Sequence, residues 1–181
     1  VTVSNVETLT GGTSSDVVVL ASAVTSGSID LAGGTDRLTL GNFANTLTIS
    51  NVETITGGIS ADIVTLGTAF NGTVDLGSAS DTLTLGDFAN TVTVLNIQTV
   101  TGGTSDDVIV VGGTSAAVVV DLGAGTDTLT FGSNGGTVTA RNIETIKGVT
   151  SNDVLVLGSA VTSTTISLGS GTDSVTLGNF A

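Results

Sequence analysis

Gly11-Gly12-Thr13-Ser14-Ser15-Asp16 runs directly into Val17-Val18-Val19-Leu20: a glycine corner closed by an aspartate that opens a β-branched strand. The phrase returns at 57–62, 102–107 and 148–153. A shorter form, Gly33-Gly34-Thr35-Asp36, recurs as Ser78-Ala79-Ser80-Asp81, Ala124-Gly125-Thr126-Asp127 and Ser170-Gly171-Thr172-Asp173. Between corners apolar and polar residues alternate with period two, which strands require and helices forbid. No stretch of helical length carries an i, i+3, i+4 apolar stripe, so the chain is expected to be all-β.

The corners belong to a longer repeat. Asn5, Asn51, Asn96 and Asn142 step by 46, 45 and 46 residues, and Asp16, Asp62, Asp107 and Asp153 step identically. This divides the chain into four units, 1–45, 46–90, 91–136 and 137–181, forming a single array. Each unit divides again at its short corner: Asp36 falls between Asp16 and Asp62, leaving a shorter half before it and a longer half after it. Strands of four to five residues at this spacing predict a parallel β-solenoid of about eight rungs, roughly 38 Å long. Its right-handed winding would follow the general preference of parallel crossovers. A rung as long as the whole repeat is the alternative.

In the eight-rung reading Val18, Leu20, Leu38, Leu40, Val64, Leu66, Leu83 and Leu85 form one inward column. Ile29, Leu31, Leu47, Ile49, Val74 and Leu76 face it. The four repeated asparagines read as a turn ladder, since Asn tolerates the left-handed conformation and stacked amides can bond rung to rung. Asn51-Val52-Glu53-Thr54-Ile55 is an extra limb on the longer half. Phe43, Phe88 and Phe180 recur in a loop and would cap the core edge.

Composition bounds the function. The chain has 26 glycines, no Pro, Cys, Met, Trp, Tyr or His, and 39% hydrophobic against 10% charged residues, which excludes a disordered acidic tail. No apolar run approaches the length of a membrane span. The net charge of −13 disfavours nucleic acid and anionic membranes, both of which are gripped by Lys and Arg. Without cysteine there is no disulfide or thiol chemistry. A chain so poor in oxidisable residues and tryptic sites suits an oxidising exterior that contains proteases. The start at Val1, within a strand pattern and without an h-region, reads as mature or excised material.

The aspartates pose an electrostatic problem. If Asp16, Asp36, Asp62, Asp81, Asp107, Asp127, Asp153 and Asp173 line one edge, neighbours about 5 Å apart repel by roughly 3 kcal/mol at an effective dielectric near 20. Three remedies are open: splaying into water, capping by corner N–H groups, or a bound cation. Among cations calcium suits best, accepting six to eight carboxylate and carbonyl oxygens; zinc and copper would want His or Cys.

The corner phrase resembles the RTX, or haemolysin-type, calcium-binding repeats, whose nonapeptide is G-G-x-G-x-D-x-(aliphatic)-x. Gly11 to Val18 fits except at Ser14, and Gly123-Ala124-Gly125-Thr126-Asp127 and Gly169-Ser170-Gly171-Thr172-Asp173 keep the G-x-G-x-D core. The resemblance implies calcium, with the eight corner aspartates as ligands. It departs in spacing, since the family's corners come in tandem nonads and these lie 19 to 26 residues apart. The repeat unit as a whole looks like the degenerate repeats of very large secreted bacterial surface proteins.

Val17, Val19, Ile63, Thr65, Val108, Val110, Val154 and Val156 would build one flat, nearly uncharged outer face, larger than a soluble monomer leaves bare. That face predicts packing against another copy. The end Gly178-Asn179-Phe180-Ala181 and the start Val1-Thr2-Val3 lack only an Asn-Thr-like pair between them, so the chain reads as a window of a longer array or a rod continuing end to end. The function expected is therefore a structural module of an extracellular bacterial fibre, surface layer or adhesin stalk. A binding alternative comes from Thr-x-Thr pairs similar to the ladders of β-helical ice-binding proteins, interrupted in the eight-rung reading by valine, aspartate and Arg37. Proton transfer at neutral pH usually recruits His, Lys or Tyr, and with Lys147 alone of these an enzyme is not expected.

Overall fold

The computed structural model describes residues 1–113, 117–161 and 163–180; Ala181 of the C-terminal loop lies outside them. Among these residues are twenty strands, β1 to β20, and no helix. The odd strands are β1 Thr2–Val3, β3 Val17–Leu20, β5 Arg37–Thr39, β7 Thr54–Gly58, β9 Asn71–Gly77, β11 Thr91–Leu95, β13 Val108–Gly112, β15 Thr128–Phe131, β17 Thr145–Lys147 and β19 Thr165–Ser167. The even strands are β2 Thr8–Thr10, β4 Gly27–Asp30, β6 Thr46–Ser50, β8 Ile63–Leu66, β10 Thr82–Thr84, β12 Thr99–Gly103, β14 Val118–Gly123, β16 Gly136–Arg141, β18 Asp153–Leu157 and β20 Ser174–Thr176. Odd strands stack in order into one ten-stranded sheet and even strands into another. Every pairing is parallel, as between β3 and β5 or β8 and β10. The chain is thus the expected all-β parallel solenoid, with two strands per turn. Nine turns carry it from β1 to β19, roughly 43 Å at the inter-strand spacing of sheets.

The coil count exceeds the eight rungs expected. The limb following each repeated asparagine is itself a strand (β2, β7, β12 and β17) and closes a coil of its own. Its apolar residues explain why: Val52 and Ile55, Ile97 and Val100, Ile143 and Ile146 are all buried in the core. The long rung expected from Asp36 to Asp62 therefore does not exist. Going up the rod, Arg37 lies opposite Thr54, Thr54 opposite Thr73, and Thr73 opposite Thr91–Leu95 at Thr93, so successive coils are of similar, shorter length.

Five strands per repeat in coils of two make 2.5 turns per repeat, so corresponding residues of neighbouring repeats fall in opposite sheets. This corrects the expected columns. Val18, Leu20 and Leu38 belong to the first sheet, with Leu40 just past the end of β5, whereas Val64, Leu66 and Leu83 belong to the second, with Leu85 just past the end of β10. Both sets point inward, and among the described residues 36 buried apolar side chains form one cluster along the rod. The alternation within each strand follows, for example exposed, buried, exposed, buried, intermediate along Thr46–Ser50.

The turns are fixed by residues that accept unusual backbone angles. Asn5, Asn51, Asn96 and Asn142 adopt φ of 52° to 54°, the left-handed conformation expected of them. Being 2.5 turns apart, they do not stack on one another. Instead the side-chain amides of Asn51, Asn96 and Asn142 donate to Oδ1 of Asp30, Asp75 and Asp121 on the preceding coil, at 2.7, 2.8 and 2.7 Å. Gly77 takes φ +84°, and any side chain there would strike the Gly58 carbonyl of the coil beneath.

Leu83 is completely buried in the middle of the rod. Leu83→Ala is expected to cost about 2–5 kcal/mol of unfolding free energy, read from the midpoint of a urea titration.

Candidate functional site: two buried acid ladders

Half-integral winding also divides the eight corner aspartates. Asp16, Asp36, Asp107 and Asp127 precede strands of the first sheet; Asp62, Asp81, Asp153 and Asp173 precede or open strands of the second. They stand as four pairs on two separate edges, not as one row of eight. Asp36, Asp62, Asp81, Asp107, Asp127 and Asp153 are each no more than 1% exposed. Of the three remedies for stacked carboxylates, splaying into water is therefore closed to these six.

Capping is what the geometry provides, and it runs from coil to coil. On the edge entering the second sheet, Val24 N–H donates to Asn45 Oδ1 at 3.0 Å. The backbone N–H of Asn45 and its Nδ2 both donate to Asp62 Oδ1, at 3.0 and 2.8 Å. Asp62 N–H then donates to Asp81 Oδ1 at 2.8 Å, and Asp81 N–H to Gln98 Oε1 at 2.7 Å. The edge entering the first sheet repeats this one repeat later. Phe70 N–H donates to Asn90, Asn90 to Asp107, Asp107 to Asp127, and Asp127 to Glu144 Oε2, over 2.8 to 3.0 Å for the backbone donors. Shorter versions run from Asp16 N–H to Asp36 to Glu53, and from Asp153 N–H to Asp173. The N–H groups of Asp16, Asp36, Asp62, Asp81, Asp107, Asp127 and Asp153 are thus each satisfied by a side-chain oxygen one coil further on.

Sequence reasoning found the aspartates and missed the ends of each ladder: Asn45 and Asn90 at the start, Glu53, Gln98 and Glu144 at the finish. The signal was present. Asn45 and Asp62, Asn90 and Asp107, Asp36 and Glu53, Asp81 and Gln98, and Asp127 and Glu144 all share one separation along the chain, and that separation is a full coil.

The second oxygen of each buried acid is a different matter. Oδ2 of Asp36, Asp62, Asp81, Asp107, Asp127 and Asp153, and Oδ1 of Asp153, are buried without any hydrogen-bond partner. Burial pushes the carboxyls of Asp62, Asp81, Asp107 and Asp153 above the usual range, against the pull of the Asn45 and Asn90 bonds on Asp62 and Asp107. Asp127 is pushed up to about 6, by burial first and then by the charges of Asp107, Glu144 and Asp106.

Hydrogen bonds already engage much of the donor set that calcium would use. One oxygen of most of the buried aspartates already accepts a peptide N–H. Corner carbonyls that could complete six or more ligands also accept peptide N–H groups from the next coil: Gly33 N–H on Gly12, Ser78 on Gly58, Ala124 on Gly103 and Ser170 on Val149. Among the described residues no three His, Cys, Asp or Glu side chains gather as a metal site.

The expected outer face is divided too. Val17, Val19, Val108 and Val110 lie on the first sheet, and Ile63, Thr65, Val154 and Val156 on the second. Val17 and Ile63 are the most open of them, 58% and 50% exposed. No helix of the described residues is long and apolar enough to cross a membrane. Comparison with known proteins finds no matching family model, no matching curated relative and no matching solved structure.

Asn45 is 2% exposed, and its amide also donates to the Phe43 carbonyl at 2.8 Å. Asn45→Leu would strand the Val24 N–H, the Phe43 carbonyl and part of Asp62. A loss of about 1–3 kcal/mol is expected by chemical denaturation, with Asn42→Leu in the exposed part of the same loop as the near-neutral control.

Proposed function

We propose that this chain is a structural module: a β-solenoid rod of an extracellular bacterial fibre, surface layer or adhesin stalk, in which copies associate side by side, end to end, or both. The observation that carries this reading is the placement of the same exposed patch on both broad faces, Val17 and Val108 on one, Ile63 and Val154 on the other. A molecule sticky on one face forms closed pairs. One with equivalent patches on opposite faces offers each neighbour a further free face, which favours open arrays. Like patches on one face are five coils apart, about 24 Å at the inter-strand spacing, so neighbouring rods could engage at two points at once. The degenerate corner phrase and the absence of cysteine and methionine support a secreted setting. Calcium, implied by the corner resemblance, is not needed for this reading.

A second reading is favoured by one specific feature. The fifth strand of each repeat fills gaps in the threonine ladders, and the register of the second sheet aligns Thr8, Ser28, Thr48, Thr65, Thr84 and Thr101 on six consecutive coils. Beside them run Thr46, Ile63, Thr82 and Thr99. Except at Ile63, these columns carry hydroxyls spaced about 4.8 Å between strands and about 6.7 Å along them, an array that suits binding to an ordered surface such as ice.

Two measurements separate these readings. Sedimentation velocity and negative-stain microscopy should show concentration-dependent assembly. A variant carrying Val17→Lys, Ile63→Lys, Val108→Lys and Val154→Lys should remain monomeric with an unchanged β-spectrum. A wild-type chain that stays monomeric at high concentration overturns the structural reading. Thermal hysteresis abolished by Thr65→Lys with Thr84→Lys would establish the second.

A further inference from the structure

The buried acids lack opposing charge. The hydrogen-bond partners of Asp62, Asp81, Asp107 and Asp127 are peptide N–H groups and the amides of Asn45 and Asn90. The charged groups that act on them are carboxylates: Asp62 and Asp75 on Asp81; Asp106 on Asp107; Asp107, Asp106 and Glu144 on Asp127. Asp62 and Asp81, and likewise Asp107 and Asp127, stand on adjacent coils, each with Oδ2 buried and without a donor. Two buried carboxylates side by side with no cation against them are costly, and neutralising one of each pair removes that cost.

We propose that the steps Asp62–Asp81 and Asp107–Asp127 are proton-binding sites, each folding with at least one carboxyl in its neutral acid form, so that the rod takes up protons from solvent as it folds. The proton sits on an Oδ2 oxygen and turns an unpaired acceptor into an O–H donor. It returns to water when the coil opens. The inference stands whether or not rods associate.

The sign is opposite to that of ordinary acidic proteins. A carboxyl whose folded pKa is raised holds its proton more tightly in the folded chain. Its contribution to stability is complete below the unfolded carboxyl range near 4 and is lost as pH rises through the folded value. For Asp127, pushed up to about 6, the loss falls between about pH 4 and about pH 7. Asp62, Asp81, Asp107 and Asp153, all raised by burial, add in the same direction.

The test uses the whole 181-residue chain with chelator present, at constant ionic strength. The melting temperature is expected to fall by about 5 °C or more between about pH 5 and about pH 8. Asp81→Asn with Asp127→Asn keeps the Oδ1 acceptor and supplies a permanent donor in place of Oδ2–H, so most of this fall should vanish. A charge-matched control at two exposed acids, Glu7→Gln with Asp87→Asn, should retain it. Should the buried variant not fold, carboxyl carbon shifts of the wild-type chain followed by NMR give the answer directly, with buried aspartates expected to titrate above the exposed ones. Three outcomes overturn the proposal. One is a melting temperature flat or rising across the window. Another is buried carboxyls already ionised near pH 5. The third is added calcium at pH 8 restoring the acid-side melting temperature, which would make the compensating charge a metal ion.

Discussion

The architecture follows from a mismatch of two periods. A coil of this solenoid takes two strands, while the sequence repeats every five. Each repeat therefore ends half a turn out of phase with its start, and its successor is laid down facing the other way. From this come the two equivalent broad faces and the division of the eight corner aspartates between two edges. The single interior lined by both halves of every repeat has the same origin. A sequence with four or six strands per repeat would put all its glycine corners on one edge, with the electrostatic burden that entails.

The acid ladders answer a problem common to turns that pass under a neighbour. A corner peptide whose N–H points along the rod axis meets no carbonyl there, because the strand pairing has used those available. An aspartate one coil onward reaches back with Oδ1, and an asparagine at the start and a glutamate or glutamine at the finish close the series. Hydrogen bonding explains why an acid or amide is needed at each level. It does not explain the second oxygen, for which an amide would serve as well. That surplus oxygen sets the ladder's electrostatics: buried, unpaired and beside another of its kind.

Much of this was legible in the sequence. The two-residue alternation, the glycine corners and the regular recurrence of Asn5, Asn51, Asn96 and Asn142 led to a parallel solenoid, and the inward identity of Val18, Leu38, Val64 and Leu83 holds. The coil count was not legible in the same way, because Asn51 to Ile55 lacks an aspartate corner like those that open β3 and β5 and so resembles an appendage. Only the burial of Val52 and Ile55 reveals it as a strand. Everything that depends on phase followed that misreading: the single row of carboxylates, the single valine face and the interrupted threonine columns. The ladder ends were missed for a related reason. Asn45 sits in a loop that reads as irregular, and its relation to Asp62 becomes visible only when the distance between them along the chain is known to be one coil.

Parity has a consequence for how such an array can grow. Duplicating one repeat inserts 2.5 turns, which rotates everything downstream by half a revolution and exchanges the surfaces it presents. Duplicating two inserts five whole turns and leaves every later segment in its former orientation. Any attachment point downstream of the rod would thus see even insertions as simple lengthening and odd ones as a reversal of side, making the pair of repeats, not the single one, the natural quantum of extension.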